Sequence, residues 1–217
     1  MAKSRIIYTA TVIVEGNYAL KNLVKENGKI YKATVMTDLS DSMNYEQMQE
    51  FDTKAREAGD PRLISAPMFF QLAKQGMQNE DNGFLNFLNE DLKKWPNFFS
   101  AVNYSVSAKD KIIHYEGTSD EYFFEGDFVG EDNWISEIKD KKTLASLTGI
   151  KKIPFSNKIS KRLNDSPAYL WRVNSKPVNE DDKRIVGLFA VSDWLGLGAG
   201  RDPLSRRPAF RVLLEEQ

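Results

Sequence analysis

The sequence predicts an α+β fold, and three observations carry that expectation. Two strand-like segments come first, then helical ones, then mostly strands, an order unlike the alternation of α/β proteins. No internal repeat or low-complexity tract divides the chain. Its 217 residues, 41% hydrophobic and 28% charged, suit a single globular domain, or one domain carrying a large insertion. A chain of this size can bury about 70% of its unfolded surface and needs no covalent staples.

Arg5 to Glu15 alternates and is rich in β-branched residues, which predicts a strand. Gly16-Asn17 turns the chain, and Tyr18 to Lys25 reads as a short helix or loop. Asn27-Gly28 is a hairpin signal before a second strand, Lys29 to Met36. Tyr45, Met48, Phe51 and Ala55 repeat at helical spacing, predicting a helix over Asn44 to Ala58 with Asp41 or Ser42 as its cap. Gly59-Asp60-Pro61 ends it. Ser65-Ala66-Pro67 starts a second helix running through Gln75, with proline in the first turn. A third spans Gly83 to Lys94, with Phe84, Leu85, Phe87, Leu88 and Leu92 as its apolar side, and Trp95-Pro96 closes it.

Beyond Phe98 the predicted strands are Ser100–Ser107, Lys111–Glu116, Glu121–Val129, Tyr169–Val173, Arg184–Val191 and Ala209–Leu214. A short helix is expected at Lys141–Leu147, and Pro154–Arg162 reads as loop or short helix. Asn174 to Lys183 is polar and linker-like, but too short to bound a domain.

Composition excludes several chemistries. The absence of cysteine removes disulfides, thiolate zinc sites and cysteine nucleophiles, and fits a cytoplasmic setting. The single histidine, His114, lies in a strand-like run and reads as a half-buried structural residue; no Gly-x-Ser-x-Gly elbow accompanies it. No apolar run reaches the ~18 residues needed to cross a bilayer, and the N-terminal residues lead into a strand rather than an apolar signal segment.

The net charge is −1, yet Glu116 to Glu137 holds eight acidic residues and no basic one. From Ile138 to Arg162 there are eight basic residues against Asp140 alone. Such asymmetry fits a phosphate-facing surface, contacts between copies of the chain, or two solvated faces that neutralise each other.

Two carboxylate patterns are candidate metal sites. Asp38, Ser40 and Ser42 resemble the Asp-x-Ser-x-Ser magnesium site of von Willebrand A-type domains, which Thr118 and Asp193 would complete; the β-rich middle of the chain departs from that fold, and a helix cap is the alternative. Asp127, Glu137 and Lys139 copy the spacing of a magnesium-dependent nuclease core, a permissive pattern in so charged a chain. Lys151, Lys152, Lys158, Lys161 and Arg162 surround Phe155, pairing phosphate-neutralising charges with a stacking face.

Near the C-terminus, Gly196, Gly198 and Gly200 stand at alternate positions, where a backbone without Cβ atoms can lie close to a partner. Arg201, Arg206, Arg207 and Arg211 follow and can grip phosphate through paired N–H donors. A tight turn between two antiparallel strands would use the same glycines.

The run Asp193 to Arg201, with the strand Ala209–Leu214, resembles the glycine-rich loop and last strand of the RAMP superfamily of CRISPR-associated RNA-binding subunits. The opening strand Arg5–Glu15 and the turn around Ser65-Ala66-Pro67 are similar to that family's early elements. Asp202 to Pro208 replaces the usual Arg-Gly-x-Gly continuation, and Ala66-Pro67 replaces the usual Gly-Ser. The resemblance implies a ferredoxin-like core with a helical insertion, placed here over 41–95 of a single 1–217 domain. It implies a subunit without catalytic residues, metal or cofactor, whose partners are RNA, more than DNA, and other protein subunits, copies of itself among them. The rival readings are an assembly protein joining acidic to basic faces, and a magnesium-dependent enzyme.

Overall fold

The computed structural model describes residues 12–14, 17–26, 29–104, 111–114, 122–125, 133–134, 141–150, 152–171 and 182–216. The α+β expectation holds: among the described residues, two sheets, antiparallel but for one strand pair, are packed with five helices. The smaller sheet runs β1 (Val12–Val14), β2 (Asn17–Glu26), β3 (Lys29–Val35), β12 (Arg211–Glu216), β4 (Arg62–Leu63). The larger sheet runs β7 (Tyr122–Glu125), β6 (Lys111–His114), β5 (Asn97–Tyr104), β10 (Asp182–Val191), β11 (Trp194–Arg201), β9 (Ala168–Trp171), β8 (Asn133–Trp134). Only β9 and β11 pair in parallel among these strands. The segment 207–210 stitches the sheets together: Asn97 N–H donates to Pro208 O at 2.8 Å, and Ile64 N–H to Phe210 O at 3.2 Å.

Local chemistry places the helices. α1 (Tyr45–Ala58) begins at a reciprocal capping box, in which Asn44 Oδ1 accepts from Gln47 N–H at 2.9 Å and Gln47 Oε1 accepts from Asn44 N–H at 3.1 Å. The cap is therefore Asn44, not Asp41 or Ser42, because only Asn44 has a glutamine three residues on to return the bond. α2 (Ala66–Gln78) is capped by Ser65 and carries Pro67 in its first turn. α3 (Asn82–Leu92) is capped by Asp81. α4 (Lys141–Thr148) and α5 (Ile153–Asn164) complete the layer, so the Pro154–Arg162 segment is helical.

Two further expectations are corrected. Tyr18–Lys25 is strand, not helix or loop: β2 is fixed by its ladder to β3, with Tyr18 opposite Val35 and Lys25 opposite Ile30. The glycine run is also strand rather than loop, since β11 is paired on both sides, by β10 and by β9. Glycine disfavours an isolated strand, but two ladders override that preference.

Helices α2, α3 and α5 cover one face of the larger sheet and build a shared core of Phe69, Leu72, Phe84, Leu88, Ile159 and Leu163 with strand residues such as Leu188 and Leu197. Phe69 sits where the sheets meet, its ring 5.1 Å from Phe98 and 5.2 Å from Phe210. α1 is tied down by buried Asp52, which accepts from Arg56 Nε at 2.5 Å and from Leu63 N–H of β4 at 2.9 Å. Burial pushes its carboxyl above the ordinary value, against the opposing pull of Arg56. Asp52→Ala would orphan both donors. It is expected to cost about 3 kcal/mol, read as a lower urea midpoint with an unchanged slope.

Candidate nucleic-acid interface

Strands β10 and β11 alternate between two environments, as period-two geometry requires. Val186, Leu188, Ala190, Leu195, Leu197 and Ala199 point into the helix-covered core. Gly187, Phe189, Gly196, Gly198 and Gly200 therefore share the opposite face of the sheet. Their register sets Gly187 across from Gly198 and Phe189 across from Gly196.

Two of these glycines hold space for neighbouring side chains. A Cβ on Gly196 would stand 2.2 Å from Phe189 Cε2, and one on Gly187 would stand 2.6 Å from Arg201 Cζ. Phe189 thus lies flat over Gly196, and the Arg201 guanidinium folds back over Gly187. Gly196, expected to approach a nucleic-acid backbone, is buried under that ring. Gly198 and Gly200 do line an open cleft of about 330 Å³, walled by Trp95, Phe189, Arg201 and Arg207, with Asp202 and Ser205 at its edge.

Arg201 is the organising side chain. Its Nη1 donates to Trp95 O and Asn97 Oδ1, each at 2.7 Å, and to Pro96 O at 3.3 Å. Its Nη2 is buried without an acceptor among the described residues. Burial first, and the nearby Arg207 charge second, lower its pKa to about 10, so it remains a cation at neutral pH. Neither Arg201 nor Arg207 has a carboxylate partner among the described residues. Asp202 spends one oxygen on Leu204 N–H, at 2.8 Å.

Trp95 forms the outer wall. It is 41% exposed, and its backbone is left-handed at φ +58°, a conformation uncommon for a bulky residue. The Arg201 bond to its carbonyl helps to hold it there. Its ring stacks on Phe189 at 5.0 Å between centroids, with 28° between planes. Phe189 meets Trp194 at 5.4 Å, Trp194 meets Tyr169 at 5.8 Å, and Tyr169 meets Trp134 at 5.1 Å. An aromatic row therefore crosses β10, β11, β9 and β8 behind Trp95.

The other expected contacts are dispersed. Arg206 reaches Gln47 Oε1 at the start of α1, at 2.9 Å through Nη2. Arg211 is neutralised by an ion pair with Asp38. Lys152, Lys158, Lys161 and Arg162 are exposed on or just before α5, whose Ile159 and Leu163 pack into the core. They belong to the helical layer, on the other side of the sheet from Gly198 and Gly200. Lys151 lies outside the described residues, and nothing is described of the Phe155 side chain.

The candidate metal sites fare differently. Asp38 is engaged by Arg211, and Ser40 Oγ accepts from Ala209 N–H at 3.0 Å while donating to Asp41 O at 2.9 Å. Ser42 is exposed, Asp193 lies in the β10–β11 turn, and Thr118 falls outside the described residues. Asp127, Glu137 and Lys139 also fall outside them. Among the described residues, no group of three His, Asp or Glu side chains is placed to hold a metal ion.

His114 is buried more deeply than expected, 9% exposed. Its Nε2 faces Ser146 O at 2.8 Å, an atom that can only accept, so Nε2 carries the hydrogen. Nδ1 then accepts from Ser100 Oγ at 2.9 Å, and Ser100 Oγ accepts from Ala66 N–H at 3.0 Å. The chain of bonds ties β6, β5, α2 and α4 together.

Trp95 and Phe189 were not among the expected site residues. Trp95-Pro96 reads as a helix stop and Phe189 as one more strand hydrophobe. The available signal was the period of β10, which sets Phe189 on the face of Gly187 and away from Leu188. Comparison with protein-family models, curated proteins and solved structures finds no match to this chain.

Proposed function

We propose that the protein is a non-enzymatic nucleic-acid-binding subunit that grips a sugar–phosphate backbone, RNA in preference to DNA. The observation that carries this reading is the cleft: two arginines without carboxylate partners among the described residues, beside a floor of Gly198 and Gly200. Adjacent guanidinium groups repel, and burial deepens the cost. A phosphate in the cleft would relieve the repulsion by supplying the counter-charge. The resemblance of the Asp193–Arg201 run to RAMP subunits supports RNA as the ligand, and with it a ferredoxin-like core and a place in a cytoplasmic ribonucleoprotein. Among the described residues no helix is long and apolar enough to cross a membrane.

The test is binding of single-stranded RNA as a function of salt. Affinity is expected to fall steeply, with a log–log slope of about −0.7 per phosphate neutralised. Arg207→Gln is expected to weaken binding several-fold and make the slope shallower by about 0.7. A salt-independent affinity, or no binding at low salt, would end this reading.

A further inference from the structure

We propose that Trp95 is a stacking platform for a nucleobase, so that the cleft takes one nucleotide unit of a single strand, base on Trp95 and phosphate on Arg201 and Arg207. The inference rests on the backbone-gripping reading above and names what that reading leaves open: whether the site takes bare phosphodiester or a base as well.

Three observations support it. First, an aromatic ring of this size 41% exposed is a cost to the isolated protein, as is a left-handed backbone at φ +58°; such strain concentrates at ligand sites. Second, the ring is presented rigidly. Phe189 backs it at 5.0 Å and is itself flanked by Trp194 at 5.4 Å, while Arg201 pins the Trp95 carbonyl at 2.7 Å. Little side-chain freedom is left to lose on binding. Third, the cation beside it is poised rather than packed. Arg207 Cζ lies over the ring at 6.0 Å from its centroid, at the limit of cation–π reach, so a base entering the cleft meets ring and cation together.

Charge selects the occupant. Two arginines with no carboxylate partner among the described residues, beside an exposed indole, match a phosphate joined to a planar base; an apolar peptide would supply neither with a counter-ion. Stacking reads no sequence, since every base has a π-face.

The experiment compares two probes of similar charge: an oligouridylate of about twelve nucleotides and an abasic phosphodiester chain of the same length. Trp95→Ala removes the ring. Trp95→Gly removes it while placing at φ +58° the residue that tolerates that backbone, so loss of binding by both variants cannot be laid to strain. Both are expected to bind oligouridylate about 5- to 100-fold more weakly, and the abasic chain as the wild type does. Trp95→Phe should stay close to wild type.

Unchanged oligouridylate affinity in Trp95→Ala and Trp95→Gly overturns the stacking role, and leaves backbone gripping intact if wild-type binding still depends on salt. Equal loss of both probes also overturns it, making Trp95 a prop for the cleft. A wild type that binds neither probe overturns the nucleic-acid reading itself. A change in oligomer mass in the variants, with oligouridylate affinity unmoved, assigns the ring to a contact between copies.

Discussion

Stability is expected to be level above about pH 7 and to fall by about 3 kcal/mol as pH drops from 6.5 to about 4, through His114 alone. Burial is the leading cause of its lowered pKa of about 4, opposed by the bond to Ser146 O. Above 6.5 the imidazole is neutral in both folded and unfolded chains, and the contribution is constant. Between 6.5 and 4 the unfolded chain binds a proton that the folded one refuses, so stability declines by about 1.4 kcal/mol per pH unit. Below 4 both states bind it and the decline stops. Protonating Nδ1 would also turn the acceptor of the Ser100 bond into a donor, but it is the burial of the charge that the folded state resists. Buried Asp52 and Asp91 have raised values and act in the opposite sense, gaining stability as pH falls. Urea titrations of wild type and His114→Gln subtract such shared terms. The two stability curves should diverge by about 2 kcal/mol between pH 7.5 and 5; parallel curves would show that the buried imidazole does not oppose protonation.

The parts of this fold legible in the sequence are those set by near neighbours. Ser65 and Pro67 announce α2, and Tyr45, Met48 and Ala55 lie on the buried face that their spacing predicts for α1. Structure set by distant partners was not legible. Tyr18–Lys25 lacks a clear period of its own and becomes strand through β3. The glycines of β11 argue for a loop until β10 and β9 are known to flank them. The site divides in the same way. Arg201, Arg207, Gly198 and Gly200 were visible as residue types in a pattern. Trp95 was not, because its backbone is pinned by Arg201 from 106 residues away. Charge alone groups the basic residues of α5 with the glycines, and charge does not reveal which side of a sheet a helix covers.

Gly196→Ala is expected to destabilise the fold by about 2–3 kcal/mol, and this separates two reasons for a glycine at that position. If the residue serves only to let a nucleic-acid backbone approach, alanine would leave stability alone and weaken binding. The geometry gives the other answer. The new methyl would lie 2.2, 2.3 and 2.8 Å from three atoms of the Phe189 ring. That ring cannot simply swing aside, since Trp95 covers it at 5.0 Å and Trp194 meets it edge-on at 5.4 Å. Room for the methyl must come from breaking the Trp95 stack or parting β10 from β11. The cost should therefore depend on Phe189. In a Phe189→Leu background the same Gly196→Ala change is expected to cost at least 1 kcal/mol less, a coupling typical of side chains in contact. Thermal or urea melts of the four proteins in that cycle measure it. Additive effects would mean that Phe189 yields freely and that Gly196 is glycine for another reason. Strong coupling would make Gly196 the seat of Phe189, and Phe189 the support on which Trp95 is presented.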